Sequence, residues 1–367
     1  MSLKSPLPTG KYAVGTRTYT VYGERSVASR VYYPAPKGVV KGYPKQQYMS
    51  QEMVRGLNNS MLMSFNYEKS ERNGENVSEC YVDAPAVYSE KFPLVVFNHG
   101  YGEYRESNSF LCIELASQGY VVICVSHSNQ AGCTEFDDGT CVYGDKDLLL
   151  KTYKPYFGGA RAVLKITKMN KSDRELAEKF DEFQNKYCEY LNSLIDVWVE
   201  DTKRSVEYAR ENLSDMIDLD KGIGVTGHSF GGIVAYALCQ TDPEFTCGIN
   251  IDGIAIGHYD GMILDKPFLQ ICCETNSKLV TRVYLDHTKT VYKVVFRDMK
   301  HLGFSDLKYK VDSRKIVGSL DADLLHENMC RCHLEFFDSY LKKIKDKPDI
   351  STNDVITVEI KKADIKG

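Results

Sequence analysis

The sequence predicts an α/β fold, with a mostly parallel central sheet, helices on both faces and an N-terminal β-hairpin. Three observations predict it. Continuous apolar runs of strand length, such as Phe92-Pro93-Leu94-Val95-Val96-Phe97, read as strands covered on both faces. These runs alternate with helix-like stretches, the order that builds parallel sheets. A β-like run at 222–226 passes through Gly227-His228-Ser229-Phe230-Gly231-Gly232 into a helix-like run at 233–240.

That last arrangement is the nucleophile elbow of α/β-hydrolases: a strand, Gly-x-Ser-x-Gly, then a helix. The turn is so tight that Gly227 and Gly231 must lack side chains. The backbone at Ser229 is strained, and its hydroxyl is pushed out above the sheet edge.

Taken in order, residues 12–24 and 26–33 alternate Val, Thr and Tyr with polar residues and read as a hairpin turning near Gly23-Glu24. Residues 37–89 read as an irregular insertion studded with Met53, Met61, Leu62, Met63 and Phe65. It reads as a core-covering cap or as an apolar wall for an acyl chain or a lipid surface, since Met adapts to irregular apolar ligands. The strand at 92–97 leads through a helix at 107–117 to a buried strand at 120–125, which favours a parallel pair. Residues 129–215 form a second insertion. It begins as a long polar loop to about 159. It continues as an amphipathic stripe of Leu176, Phe180, Phe183, Tyr187, Tyr190, Leu194 and Trp198, then a helix at 202–212. After the elbow come strands at 246–251, 267–272 and 291–296 and a helix at 323–342. Residues 353–367 look peripheral. With no internal repeat and no linker, one domain spanning 1–367 is the economical reading.

The composition is that of an ordinary globular protein: 367 residues, 43% hydrophobic and 26% charged, with a net charge of −4. No basic cluster suggests a nucleic-acid partner. No apolar run reaches the ~18 residues of a transmembrane helix. Met1-Ser2-Leu3-Lys4-Ser5-Pro6 lacks the apolar stretch of a secretory leader, which points to the cytoplasm, or to secretion if a leader preceded it. Of the 12 cysteines, Cys112, Cys124, Cys239, Cys247 and Cys272 lie in apolar runs and read as small core residues. Cys133 and Cys141 flank a polar loop and are able to pair in an oxidising compartment.

A serine hydroxyl needs a base within hydrogen-bond reach and a carboxylate that orients the base. In this fold the chain order is Ser, then Asp or Glu, then His. His301 is the best base, since it follows the last apolar strand and precedes the C-terminal helix. Two strand-end acids compete, Asp252 and Glu274, and the residues alone leave them near even. The oxyanion donors expected are the backbone N–H groups of Phe230, after the nucleophile, and Tyr101, in His99-Gly100-Tyr101-Gly102. His99, Met61 and Phe65 are the expected substrate-lining residues. A competing reading is a metal site on the last helix, where His326, Cys330 and His333 share a face with Cys332 nearby. Packing of an amphipathic helix accounts for the same spacing.

The elbow, preceded by Ile223-Gly224-Val225, resembles that of the plasma and type II class of platelet-activating-factor acetylhydrolases. Phe92 to Gly100 is similar to that family's oxyanion strand, and Leu115-Ala116-Ser117-Gln118-Gly119-Tyr120-Val121-Val122 to the segment after it. The resemblance implies an acid on the strand directly after the elbow helix, which is Asp252. It also implies cofactor-free, calcium-independent hydrolysis of short or oxidised sn-2 acyl esters of phospholipids; peripheral contact with a lipid surface is expected from the Met-rich insertion. One departure is Gly253-Ile254-Ala255-Ile256-Gly257, where the family often carries bulky aromatic residues. A general carboxylesterase or polyester hydrolase of the same fold is the alternative.

Overall fold

The computed structural model describes residues 5–60, 69, 74, 76–257 and 262–363. The chain opens with β1 (Ala13–Val21) and β2 (Val27–Ala35), an antiparallel hairpin in the register Ala13↔Ala35. The insertion that follows is more ordered than the sequence suggests. It holds β3 (Lys45–Gln47), α1 (Gln51–Ser60) and β4 (Val77–Val82). β4 pairs parallel with β1 and antiparallel with β3, so the insertion extends one edge of the main sheet. Its pattern is hidden because the inward residues of β4 are Ser78 and Cys80, while Val77 is exposed.

β5 (Phe92–Asn98), α2 (Ser109–Ser117) and β6 (Val121–Ser126) form the expected parallel β-α-β unit. A small hairpin of β7 (Cys133–Glu135) and β8 (Cys141–Tyr143) stands in the region expected to be loop. Also in that region, α3 (Lys146–Lys168) runs through Pro155, Gly158 and Gly159, residues that argue against a helix in sequence. Asp145 starts it by accepting from the Asp147 and Leu148 N–H groups. The aromatic stripe is two helices, α4 (Asp173–Tyr187) and α5 (Glu189–Asn212), broken at Cys188. A reciprocal Ser172–Glu175 capping box begins α4.

β9 (Ile217–His228), α6 (Phe230–Thr241), β10 (Phe245–Ile251), β11 (Phe268–Cys273) and β12 (Val291–Phe296) then complete the parallel run. α7 (Ala322–Tyr340) follows. The tail expected to be peripheral supplies β13 (Ile356–Lys361), antiparallel to β12 with Ile356 fully buried. The eleven-stranded sheet has the order β13-β12-β11-β10-β9-β5-β6-β2-β1-β4-β3.

Strand alternation divides the core. Leu94 and Val96 of β5 face a cluster with Trp198, Phe180 and Ile233, while Val95 and Phe97 face one with Leu111, Phe336 and Phe337. Each such fully buried side chain contributes about 1.5–3 kcal/mol, so both layers press β5 and β9 into the centre of the sheet. The carboxyl ends of those two strands carry the site. Cys112, Cys124, Cys239, Cys247 and Cys272 are all fully buried, as expected of core residues. Among the described residues no helix is long and apolar enough to cross a membrane.

Candidate active site

Ser229 lies at the end of β9, between the strand and α6, with φ 54° and ψ −118°. A non-glycine residue there is strained by about 1–3 kcal/mol and persists only when its surroundings over-determine it. They do. Ser229 N–H donates to Ile251 O at 2.8 Å. A Cβ on Gly231 would lie 2.1 Å from Asn98 O, and one on Gly227 would lie 2.3 Å from Gly231 O. The two glycines therefore let the turn close against the end of β5.

Asp252 ends β10, buried and also at positive φ, 56°. The Asn250 side chain brackets its turn, accepting from Gly253 N–H at 2.8 Å and donating to Gly253 O at 3.0 Å. Asp252 Oδ1 accepts from Cys273 N–H at 2.8 Å. Oδ2 accepts from Asn276 Nδ2 at 2.9 Å and from His301 Nδ1–H at 2.7 Å. His301 opens a short helical turn (His301–Phe304) after β12, and its ring is 39% exposed. Its Nε2 lies 2.8 Å from Ser229 Oγ. Three residues separated by up to 72 positions thus form one hydrogen-bonded chain whose outer end opens to solvent.

The structure brings Asp252, and not Glu274, to the imidazole. Glu274 is exposed and accepts from Asp298 N–H at 3.3 Å. The two residues expected to supply the oxyanion donors lie next to each other. Phe230 is the first residue of α6, where backbone N–H groups lack intrahelical acceptors. The Tyr101 ring packs edge-on against the Phe230 ring, with centroids 6.3 Å apart. A Cβ on Gly100 would stand 3.1 Å from Ser229 Cβ, so that loop lies directly against the serine.

Other expected residues fall elsewhere. His99 is fully buried: its Nδ1–H donates to Gly100 O at 2.7 Å, and its Nε2 accepts from His127 N–H at 3.1 Å. Burial, with the neighbouring His127, pushes its pKa down to about 3, so it stays neutral. It braces the loop through Gly100 O and, being fully buried, does not line a substrate surface. Met61 and Phe65 lie outside the described residues. On α7, His333 turns into the core, with Nδ1–H donating to Met329 O at 2.8 Å and Nε2 3.2 Å from Thr226 Oγ1. Both nitrogens are engaged, which takes His333 out of a metal-ligand role beside Cys330. Cys133 and Cys141 carry free thiols on one face of the β7–β8 hairpin.

Sequence reasoning passed over two buried residues beside the site, Glu103 and His228. Glu103 Oε1 accepts from His228 Nδ1–H at 2.8 Å, and Oε2 accepts from Gly100 N–H at 2.8 Å. Burial opposes both charges, yet each partner outweighs it. Glu103 is held down at about 2 chiefly by His228, and the pKa of His228 is raised by Glu103. Nothing local signals this, since Glu103-Tyr104-Arg105-Glu106 reads as a solvated charged run.

Comparison with known proteins places this geometry in context. The family model described as platelet-activating factor acetylhydrolase, isoform II, matches residues 2–324. A platelet-activating factor acetylhydrolase of Canis lupus familiaris is 25% identical over 372 residues, covering 93% of this chain and 78% of its own length. One of Bos taurus is 32% identical over 173 residues, 44% of this chain and 35% of its own. A ferulic acid esterase structure from Streptomyces cinnamoneus has a TM-score of 0.72 at 17% identity, covering 96% of this chain and 97% of its own. At that identity the likeness speaks for the fold alone.

Proposed function

The chain belongs to the platelet-activating factor acetylhydrolase, isoform II, family, and we propose that it is a serine esterase acting on short or oxidised sn-2 acyl esters of phospholipids. The observation that carries this reading is the contact of Ser229 Oγ with His301 Nε2 at 2.8 Å, continued from Nδ1 to Asp252 at 2.7 Å.

Ser229 is the nucleophile. As its oxygen bonds to the ester carbonyl carbon, its proton passes to His301 Nε2. Asp252 keeps the other proton on Nδ1 and stabilises the imidazolium. The negative charge on the former carbonyl oxygen is met by the Phe230 and Tyr101 N–H groups; one such donor is worth about 2.7–4 kcal/mol of barrier. The carbonyl carbon then releases the lysophospholipid oxygen, which takes the proton from His301. Water, giving its proton to His301, attacks the acyl-serine, and the carboxylic acid leaves as Ser229 regains its proton. These steps need no cofactor. The whole chain works as one catalytic unit in this reading, and the phospholipid reaches the site from a lipid surface.

A second reading, a general carboxylesterase or polyester hydrolase, draws on the absence of aromatic residues from Gly253-Ile254-Ala255-Ile256-Gly257 beside the acid. The test is a panel of p-nitrophenyl esters of rising chain length and of phospholipids with acetyl, oxidised or long sn-2 chains, run on wild type and Ser229→Ala. We expect short or oxidised chains to be preferred and Ser229→Ala to be inactive but folded. Residual turnover in that variant would refute the nucleophile. A preference for long unmodified chains would favour the carboxylesterase.

A further inference from the structure

Directly behind the serine, a second histidine–carboxylate pair has a geometry the hydrolytic steps above do not use. Glu103 and His228 are both buried. His228 occupies the middle of the elbow, one residue before the nucleophile. Its Nδ1 faces Glu103 Oε1 at 2.8 Å and its Nε2 faces the His301 carbonyl oxygen at 3.1 Å. A carboxylate and a carbonyl only accept, so both ring nitrogens must donate, and the ring that satisfies both partners is the imidazolium. The other Glu103 oxygen accepts from Gly100 N–H at 2.8 Å. Glu103 also donates its own N–H to Gly100 O at 3.0 Å, and its carbonyl accepts from Gly132 N–H. Its side chain is therefore anchored at both ends.

We propose that Glu103 and His228 are a charged positioning pair that locks the oxyanion loop and the base-bearing turn onto the nucleophile elbow. Three segments meet at this one pair. Gly100 carries the loop of the Tyr101 donor. His228 is the elbow. His301 O belongs to the residue whose ring accepts the serine proton. The space is already full: a Cβ on Gly100 would meet Glu103 Cδ and Oε2 at 2.8 Å. Loosening the pair frees Gly100 N–H and the His301 carbonyl together, displacing an oxyanion donor and the base at once. The groups facing His228 are Glu103, His301, whose ring centroid is 4.9 Å away, and the Asp252 carboxylate; His99 faces Glu103 from below. The pair acts through Gly100 and His301, and neither member touches the reacting atoms.

The proposal rests on the esterase reading, and three variants separate the two: Ser229→Ala, Glu103→Ala and Glu103→Gln, assayed with p-nitrophenyl acetate. Glu103→Gln keeps both contacts without charge, since its carbonyl oxygen must stay on Gly100 N–H and its amide then faces a neutral His228. We expect Glu103→Ala to lower kcat about 100-fold, the scale of one misplaced oxyanion donor, with KM within about threefold. Glu103→Gln restores kcat to within about tenfold of wild type. Because it removes the His228 cation beside the His301 ring and only the more remote Glu103 anion behind it, its kcat/KM profile has an acid limb about one pH unit higher. The inference is overturned if Glu103→Ala keeps kcat within about threefold, if the loss falls on KM, or if the Glu103→Gln acid limb stays in place. Should Glu103→Ala not fold, the Glu103→Gln acid limb alone decides. Turnover persisting in Ser229→Ala overturns the esterase reading instead.

Discussion

Replacing Asp252 by Asn tests the orienting acid more sharply than removing it, because the surroundings dictate which way the amide points. Asp252 Oδ1 accepts from the backbone N–H of Cys273 at 2.8 Å. That donor cannot turn away, and an amide nitrogen placed against it would leave a buried donor unsatisfied at a cost of about 1–3 kcal/mol. The Asn oxygen therefore stays on Cys273, and the amide nitrogen takes the position of Oδ2, 2.7 Å from His301 Nδ1, where the Asn276 side-chain amide, unlike the Cys273 N–H, is free to turn its oxygen towards it. Nδ1 must then accept, so Nε2 carries the proton and faces Ser229 Oγ as a donor. Such a base cannot take the serine proton. Holding an imidazole in the wrong tautomer lowers turnover about 10⁴-fold in the serine-protease template, which corresponds to about 5.4 kcal/mol of barrier. We expect kcat for p-nitrophenyl acetate to fall about 10³–10⁴-fold in Asp252→Asn while the thermal midpoint changes little. Glu274→Gln, altering an exposed carboxylate bonded to Asp298 N–H, is expected to stay within about twofold. Asp252→Asn turnover within tenfold of wild type, or a larger loss in Glu274→Gln, would refute this reasoning.

Two further predictions concern stability. Burial holds the pKa of His333 down to about 4, against about 6.5 for a histidine in the unfolded chain. The unfolded state therefore takes up the proton first. The stabilising contribution is full above pH 6.5 and is lost as pH falls towards 4, reaching about 2 kcal/mol lost at pH 5. In urea unfolding, His333→Phe should become less pH-sensitive than wild type between pH 8 and pH 5 by about that amount; an equal pH response in both proteins would contradict it. Trp198 is fully buried, stacked on His127 at 3.7 Å and edge-on to Phe230 at 4.7 Å. Trp198→Ala is expected to cost about 3–5 kcal/mol in denaturant unfolding, and a cost below about 1 kcal/mol would show that the cavity collapses freely.

What was legible in the sequence tracks how local the cause is. The central strands were readable because burial on both faces leaves apolar runs such as 92–97. The elbow was readable because its glycines answer to contacts a few ångströms away, Gly227 to Gly231 and both to the end of β5. β13, at one edge of the sheet, and β4, one strand in from the other, were missed because neither carries a continuous apolar run: their inward positions hold Ser78, Cys80 and a single fully buried Ile356. α3 was missed because Pro155, Gly158 and Gly159 carry weak intrinsic helix preference, which the Asp145 cap and packing on α4 override. The amphipathic stripe was legible, but its break at Cys188 was not, since helical spacing continues across it.

By itself the sequence determined the mostly parallel α/β class and singled out Ser229 and His301 as the residues proposed for nucleophile and base. These follow from strand-end position and from the sterics of one tight turn. The choice between Asp252 and Glu274 could not be made from strand ends alone. It depends on which carboxylate reaches the His301 ring across neighbouring strands, and the tertiary structure decides it through the Asn250 bracket and the Cys273 and Asn276 donors. The Glu103–His228 pair was decided only there too. A charged residue in a polar run becomes a buried anion only when three distant segments close over it and supply the partners that offset its desolvation.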